Sequence, residues 1–256
     1  MRRLVPGPLD LDLDAVYQGL VLASPPPAAD RASVALGMVA SVDGAVALDG
    51  TSGGLGGEGD RRAFLRLRDA CDAILVGAGT VRAEDYGPPR APAARAAARE
   101  AAGLAPAPQL LVVTGRAALD PSARLFTAER DPGVPPPVVV TSSTAPGEAV
   151  ASLAEVAQVA TFGRDAVDLA AVLRWCHERG LRRVLCEGGP ALNGALLAGG
   201  LVDEVFVTLA PVLVGGDAAR IVRGPHLAPV DLELSEVHEH DGELLLRYRT
   251  SDPSTD

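Results

Sequence analysis

The chain repeatedly passes from a short apolar run into a glycine-bearing turn and then into a segment of helical spacing. "DAILVG" leads into "AGTVRAED", and "RRVLCE" leads into "GGPALNGALL". Each such unit returns the chain by a helix, so the next strand runs parallel to the last, and an α/β sheet follows. "ASVALGMVAS", "QLLVVTG", "PPVVVTSS", "VAQVATFG" and "DEVFVTLAPVLVGG" supply further strands. "DRRAFLRLRDAC" and "DLAAVLRWCHERG" read as helices, the first with Asp60 as N-cap and the second closed by Gly180. The tail "LELSEVHEHDGELLLRYRT" is two alternating strands around a His-Asp-Gly turn, the pattern of a hairpin.

The expected architecture is therefore α/β, with a mostly parallel central sheet, an antiparallel C-terminal hairpin and helices on both faces. One domain spans 31–251, and residues 1–30 form a lead-in. Within the lead-in, residues 10–20 are expected as a short helix and "SPPPAAD" as a stiff linker. The Ala/Pro/Arg stretch at 87–108 reads as an exposed helix or mobile loop outside the core.

Charge narrows the partners. The net charge is −10, and all 23 basic residues are arginine. A nucleic-acid or anionic-membrane partner would call for a basic face, so neither is expected. Without lysine, no Schiff base and no P-loop lysine is available. Cys71, Cys176 and Cys186 have no CxxC spacing, which points to a reducing cytoplasm. The N-terminus reads as neither signal peptide nor membrane span. Neither His177 and His226 nor the alternating His238 and His240 have the spacing of a metal site, so no metal is expected. Trp175 reads as core.

Two strand-to-helix junctions carry glycine where an α/β sheet binds ligands: Gly77, Gly79 and Thr80 in "ILVGAGT", and Gly188 to Asn193 in "EGGPALN". Glycine there exposes main-chain NH groups at a helix start, where an anion is favoured, and Pro190 suits the first helical turn. Short turns also use glycine for steric reasons alone. Arg82 occupies the third glycine position of a GxGxxG pattern, so that fingerprint is incomplete. Asp43 in "SVDG" and Glu187 are candidate carboxyls for proton delivery, provided burial raises a pKa; a turn-forming Asp-Gly and a helix-start carboxylate are the plain alternatives. Thr114 and Arg116 in "VVTGR", just past a strand, are a hydroxyl and a cation placed to meet an anionic group of a ligand, such as a 2′-phosphate if the ligand carries one, with Arg164 in reserve.

From "ALGMVASVDG" through "RLRDACDAILVGAGTVRAED" to "VLCEGGPALNGALLAGGLVDEVFVTLAPVLVGG", the chain resembles the reductase domain of riboflavin biosynthesis, which has the dihydrofolate-reductase-like three-layer fold. The resemblance implies an NADPH-dependent enzyme that reduces the ribosyl group of a phosphoribosylamino-pyrimidine, the aminouracil ribotide, at C1′. It implies cofactor contacts at Thr80 and Glu84, with Asp85 adjacent, and along Gly188, Gly189, Pro190, Ala191, Leu192 and Asn193. It implies substrate contacts at Ser52, Arg68, Arg90 and Glu187, and a homodimer.

Departures touch the substrate side: Ala45 replaces a basic residue, and Gly54 stands near a common tryptophan. The zinc-deaminase signature is absent, which leaves the reductase half. A pterin or dihydrofolate substrate and a non-catalytic NADP(H)-binding module are the competing expectations. Arg68 and Arg90, as an anion clamp, are expected to separate the first two.

Overall fold

A computed structural model describes residues 1–5, 9–10, 12–23, 30–224 and 229–250. In chain order the strands are β1 (Arg2–Val5), β2 (Leu9–Asp10), β3 (Ser33–Ser41), β4 (Ala73–Gly77), β5 (Gln109–Val113) and β6 (Val138–Thr141). They continue with β7 (Gln158–Thr161), β8 (Arg183–Cys186), β9 (Glu204–Ala210), β10 (Leu232–His240) and β11 (Glu243–Thr250). The helices are α1 (Glu58–Ala70), α2 (Ala78–Ala83), α3 (Ala93–Ala101), α4 (Arg124–Thr127), α5 (Gly147–Ala154), α6 (Leu169–Glu178) and α7 (Pro190–Ala198).

All strands share one sheet in the order β2-β1-β10-β11-β9-β3-β8-β4-β5-β6-β7. From β9 to β7 the neighbours are parallel. From β9 outward through β11, β10 and β1 to β2 they are antiparallel. The hairpin turn at Asp241 (φ 49) and Gly242 (φ 83) has two left-handed residues in succession, as a two-residue I′ turn requires.

Strand residues alternate between two cores. Ile74 and Val76 of β4 pack with Ala63 and Leu67 of α1, Leu125 of α4 and Leu153 of α5. Ala73 and Leu75 face the other way, onto Leu173 of α6 and Leu196 of α7. Burial of both faces explains why the parallel strands read as continuous apolar runs. Asp168 caps α6 by accepting from the Ala171 amide at 2.9 Å, and Gly180 (φ 76) ends that helix.

Two local expectations are corrected, and that of an exposed helix within 87–108 is met with one buried residue added. The lead-in joins the sheet: β1 pairs with β10, and Leu13–Ala15 is one 3-10 turn instead of a helix. Val16, Tyr17 and Leu22 behind it are buried, with the Tyr17 ring edge-on to Phe206 at 5.5 Å. Residues 24–29 of the proline-rich linker and His226 lie outside the described residues. The 87–108 stretch is tied to the body through α3, whose Arg99 is buried. Its guanidinium donates to the carbonyls of Arg68 (2.7 Å) and Asp69 (2.9 Å), two orphan acceptors at the end of α1. Lastly, Asp60 is not the N-cap of α1. The buried carboxylate of Glu243, arriving from β11, accepts from the Gly57 amide at 2.6 Å and the Asp60 amide at 3.3 Å. Any Cβ at Gly59 would lie 2.8 Å from that carboxylate, so the helix start is built to admit it. Sequence-local logic does not find a cap supplied from 186 residues away.

Among the described residues no helix is long and apolar enough to cross a membrane. Trp175 is half-buried against Phe162, with the Arg179 guanidinium 4.1 Å from its ring. His238 is buried and bonded to Glu236 at 2.7 Å.

Candidate active site

The order of the strands places a crevice. From β4 the chain continues outward through β5, β6 and β7, whereas from β8 it crosses back over β3 to reach β9. The connections leaving β4 and β8 therefore diverge, and the carboxyl ends of these adjacent strands form a topological switch point. Both glycine turns sit there. The Gly77 amide donates to the Gly188 carbonyl at 2.7 Å, so the two turns are hydrogen-bonded to one another.

Side-chain size at this junction is fixed by contact. A Cβ on Gly189 would fall 2.7 Å from Thr80 Oγ1, and one on Gly188, which is left-handed at φ +79, would lie 3.1 Å from Met38 Sδ. On Gly79 a Cβ would meet nothing within 4 Å, so this turn is bare toward open space. Thr80, Glu84, Gly189 and Pro190 all line a cavity of about 370 Å³ between α1 and the sheet. Leu192 and Asn193 turn inward instead; the Asn193 amide donates to the Ile221 carbonyl at 2.9 Å. Ala191 is exposed at the first turn of α7.

Glu187, just past β8, is buried among three donors. Arg68 of α1 grips it side-on, Nε to Oε1 at 2.6 Å and Nη2 to Oε2 at 2.7 Å, and the Tyr86 hydroxyl donates to Oε2 at 2.7 Å. Burial opposes the Arg68 charge, but the adjacent carboxylate outweighs it and raises the pKa further. Tyr86 is pushed well above an ordinary phenol, first by burial and then by the Glu187 charge. The Arg68 guanidinium also lies 4.5 Å from the Phe64 ring centre. Phe64, Leu67 and Tyr86 give the cavity an apolar wall beside this pair.

The remaining predicted residues divide. Ser52 lines the cavity, and its amide donates to Glu84 Oε1 at 2.7 Å, so Glu84 anchors the glycine-rich loop. Asp85 points to Arg124 at 2.9 Å, away from the cleft; of the two adjacent carboxylates it is Glu84 that faces inward. Arg90 is exposed, pairs with Asp131 at 3.2 Å and is not part of the cavity wall. Thr114 is buried and accepts from the Ala118 amide at 3.1 Å. Arg116 stands exposed past the carboxyl end of β5, with no hydrogen bond or ion pair among the described residues.

Asp43 is corrected outright. Its exposed carboxylate accepts from the Ser41 hydroxyl (2.5 Å), the Gly215 amide (2.7 Å) and the Val214 amide (3.1 Å). These bonds, the Ser41 one foremost, hold its pKa down to about 2, the opposite of a poised acid. Its work is to pin the loop after β9.

Sequence reasoning missed four cleft residues: Tyr86, Phe64, Asp60 and Thr208. Phe64 and Asp60 stand four and eight residues before Arg68, the spacing of one helix face, and that signal was available. Thr208 reaches the cleft through strand pairing alone, which no local pattern reveals.

Comparison with known proteins agrees with this architecture. Residues 32–246 match the RibD C-terminal domain. The chain is 36% identical over 223 residues to the 2,5-diamino-6-ribosylamino-4(3H)-pyrimidinone 5′-phosphate reductase of Methanothermobacter thermautotrophicus, covering 85% of this chain and 98% of that protein. It is 32% identical over 182 residues to the riboflavin biosynthesis protein RibD of Mycobacterium tuberculosis, covering 71% of this chain but 42% of that longer protein. Among solved structures, a pyrimidine reductase-like protein from Corynebacterium diphtheriae superposes with a TM-score of 0.81 at 24% identity, covering 94% of this chain and 100% of the other. The yeast riboflavin biosynthesis reductase Rib7 gives a TM-score of 0.67 at 20% identity, over 94% of this chain and 100% of the other, and the shared architecture is dihydrofolate-reductase-like. The chain belongs to the RibD C-terminal domain family.

Proposed function

We propose that the chain is an NADPH-dependent reductase of a 6-ribosylamino-pyrimidine 5′-phosphate, acting at the ribosyl C1′. The observation that carries this reading is the contact of the two glycine turns at the switch point, with Thr80 against Gly189, directly beside the Glu187–Arg68–Tyr86 group. The extent of the likeness supports it, since the archaeal reductase is matched over nearly its whole length.

The residues present fit a dinucleotide at this rim. Gly79 leaves open space, Gly189 tolerates no side chain, and Arg116 is an unspent cation on the neighbouring strand end, where a 2′-phosphate would be selected. When bound, the nicotinamide supplies a hydride, and the protein's part is to position and to manage charge. Thr80 and the α7 start hold the cofactor side. Ser52, on the loop that Glu84 anchors, and Glu187 face the substrate side. Glu187, fixed by two arginine bonds and a phenol, is an oriented acceptor for substrate hydroxyl or amine groups. Arg68 serves by holding Glu187, which replaces the phosphate-clamp role expected for it. Phe64 and Tyr86 exclude water and offer a flat apolar surface to a pyrimidine.

The archaeal relative is named for the diamino-pyrimidinone ribotide, before deamination; the aminouracil ribotide is the same sugar on the deaminated base. Both are to be supplied with NADPH, next to dihydrofolate, while nicotinamide oxidation is followed and the product identified. Turnover of a ribotide supports the proposal. Turnover of dihydrofolate alone, or NADPH binding without oxidation, would replace it by the pterin reductase or the non-catalytic module. Val230, Leu232 and Leu234 form an exposed apolar run leading into β10, which is the surface offered for the homodimer.

A further inference from the structure

Two carboxyl groups meet at the start of α1 and receive opposite treatment. Glu243 is buried but takes the helix-start amides of Gly57 and Asp60, and these donors with the partial positive charge of the helix end satisfy a carboxylate. Asp60 lies on the cleft side of the same turn and forms part of the cavity wall. Its carboxyl is pressed against the main chain of Gly56, where any Cβ would collide with Oδ2, and Thr208 of β9 lines the same cavity. Among the described residues no backbone amide donates to this carboxyl. Burial first, and the Glu243 charge after it, raise the Asp60 pKa; Thr208 and Arg61 act against this.

Other charged groups around the turn are few. His240 of β10 packs on Gly59, Glu84 just past α2 faces the loop carrying Ser52, and Glu187 on the far side of the cleft is paired with Arg68. A pair of acids placed in this way, one taken up by helix-start amides and the other left without them against a cavity wall, is the arrangement by which enzymes assign an acid at neutral pH. Glu187 is not placed for that part, because both its oxygens already accept from the Arg68 fork and the Tyr86 hydroxyl.

Resting on the reductase reading, we propose that Asp60 is the acid of this site and protonates the substrate nitrogen as C1′ is reduced. In the ring-opened substrate, hydride from the nicotinamide adds to carbon of the C1′=N bond. The π pair moves to nitrogen and takes the proton from the Asp60 carboxyl. A secondary amine, an Asp60 carboxylate and an oxidised nicotinamide result, and solvent returns the proton to Asp60. Sequence inspection alone suggests only a helix cap at this position.

Asp60→Asn tests the assignment, because the amide keeps the shape and can donate a hydrogen bond but cannot release a proton. With the ribotide and NADPH, kcat is expected to fall by about 100-fold or more, the alkaline limb of the kcat/KM profile to vanish, and NADPH affinity and Tm to hold. A variant within threefold of wild type, with an unchanged pH profile, overturns the proposal. The carboxyl carbon resonance of Asp60 in the free protein, assigned against Asp60→Asn, gives a second readout that needs no turnover. It is expected to titrate above the ordinary aspartate range and to move down in Glu243→Gln; titration in the ordinary range overturns the proposal whatever the substrate. If the wild-type chain oxidises no NADPH with either ribotide, the reductase reading fails, and the resonance still decides whether Asp60 holds a proton.

Discussion

Thr80 Oγ1 stands 2.7 Å from the point where a Cβ of Gly189 would lie, so one methyl group separates the two turns from collision. Gly189→Ala is expected to destabilise the fold by about 1–3 kcal/mol, the usual cost of overpacking, and to abolish measurable NADPH binding. Thr80→Ala in the same chain should return part of that stability, a non-additive coupling visible in a double-mutant cycle by urea denaturation. Full additivity would mean that Thr80 and Gly189 do not touch.

Arg68 and Glu187 form a two-bond pair with the carboxylate buried. Arg68→Ala strands that carboxylate and is expected to cost about 3–5 kcal/mol, far beyond a surface pair. Arg68→Lys keeps the charge but loses the side-on fork and should recover less than half of this. Loss of activity in Arg68→Ala therefore reports on Glu187, not on a phosphate clamp, and equilibrium unfolding of both variants checks it.

Arg90 loses the role expected for it, whereas Arg116 keeps the one expected for it as a proposal. Arg90 is spent on Asp131 at the surface, so Arg90→Ala should leave the ribotide KM within about twofold, since exposed pairs contribute about 1 kcal/mol or less. Arg116→Ala should weaken NADPH by about 10- to 100-fold and leave NADH unchanged, the loss of one charge-assisted contact to a 2′-phosphate. Steady-state kinetics with both cofactors measure it.

Asp43 gives the pH response of the loop after β9. Its folded pKa, about 2, lies below the ordinary aspartate value of 3.8, so its bonds stabilise the loop fully above that ordinary value. That contribution is lost as pH falls from about 4 toward 2. The protection factors of the Val214 and Gly215 amides, taken relative to intrinsic exchange at each pH, should fall over this window in wild type and already be low near neutrality in Asp43→Ala. Exchange that ignores the substitution would contradict the assignment.

Strand and helix positions were legible because both faces of the parallel strands are buried and because glycine and proline mark each turn chemically. Thr80, Gly189 and Glu187 could be placed at one rim for the same reason: parallel strands put their carboxyl ends together. Partner choice was not legible. Glu243 caps α1, Arg99 closes that helix's far end, and Asp131 consumes Arg90, and each of these is a long-range electrostatic match decided by packing. The local Asp-Gly signal at Asp43 left a proton donor and a plain turn equally open, and the bonds from Ser41, Val214 and Gly215 that decide for an anchor lie partly on a distant loop.

The central claim is tested most directly by isotope transfer. Purified protein is given NADPH carrying deuterium on the transferable nicotinamide carbon, together with the diamino-pyrimidinone ribotide, and the product is analysed by mass spectrometry and NMR. The account predicts a ribitylamino product with one deuterium, located at C1′. Unreduced ribotide, or a reduced product without deuterium at C1′, would contradict it.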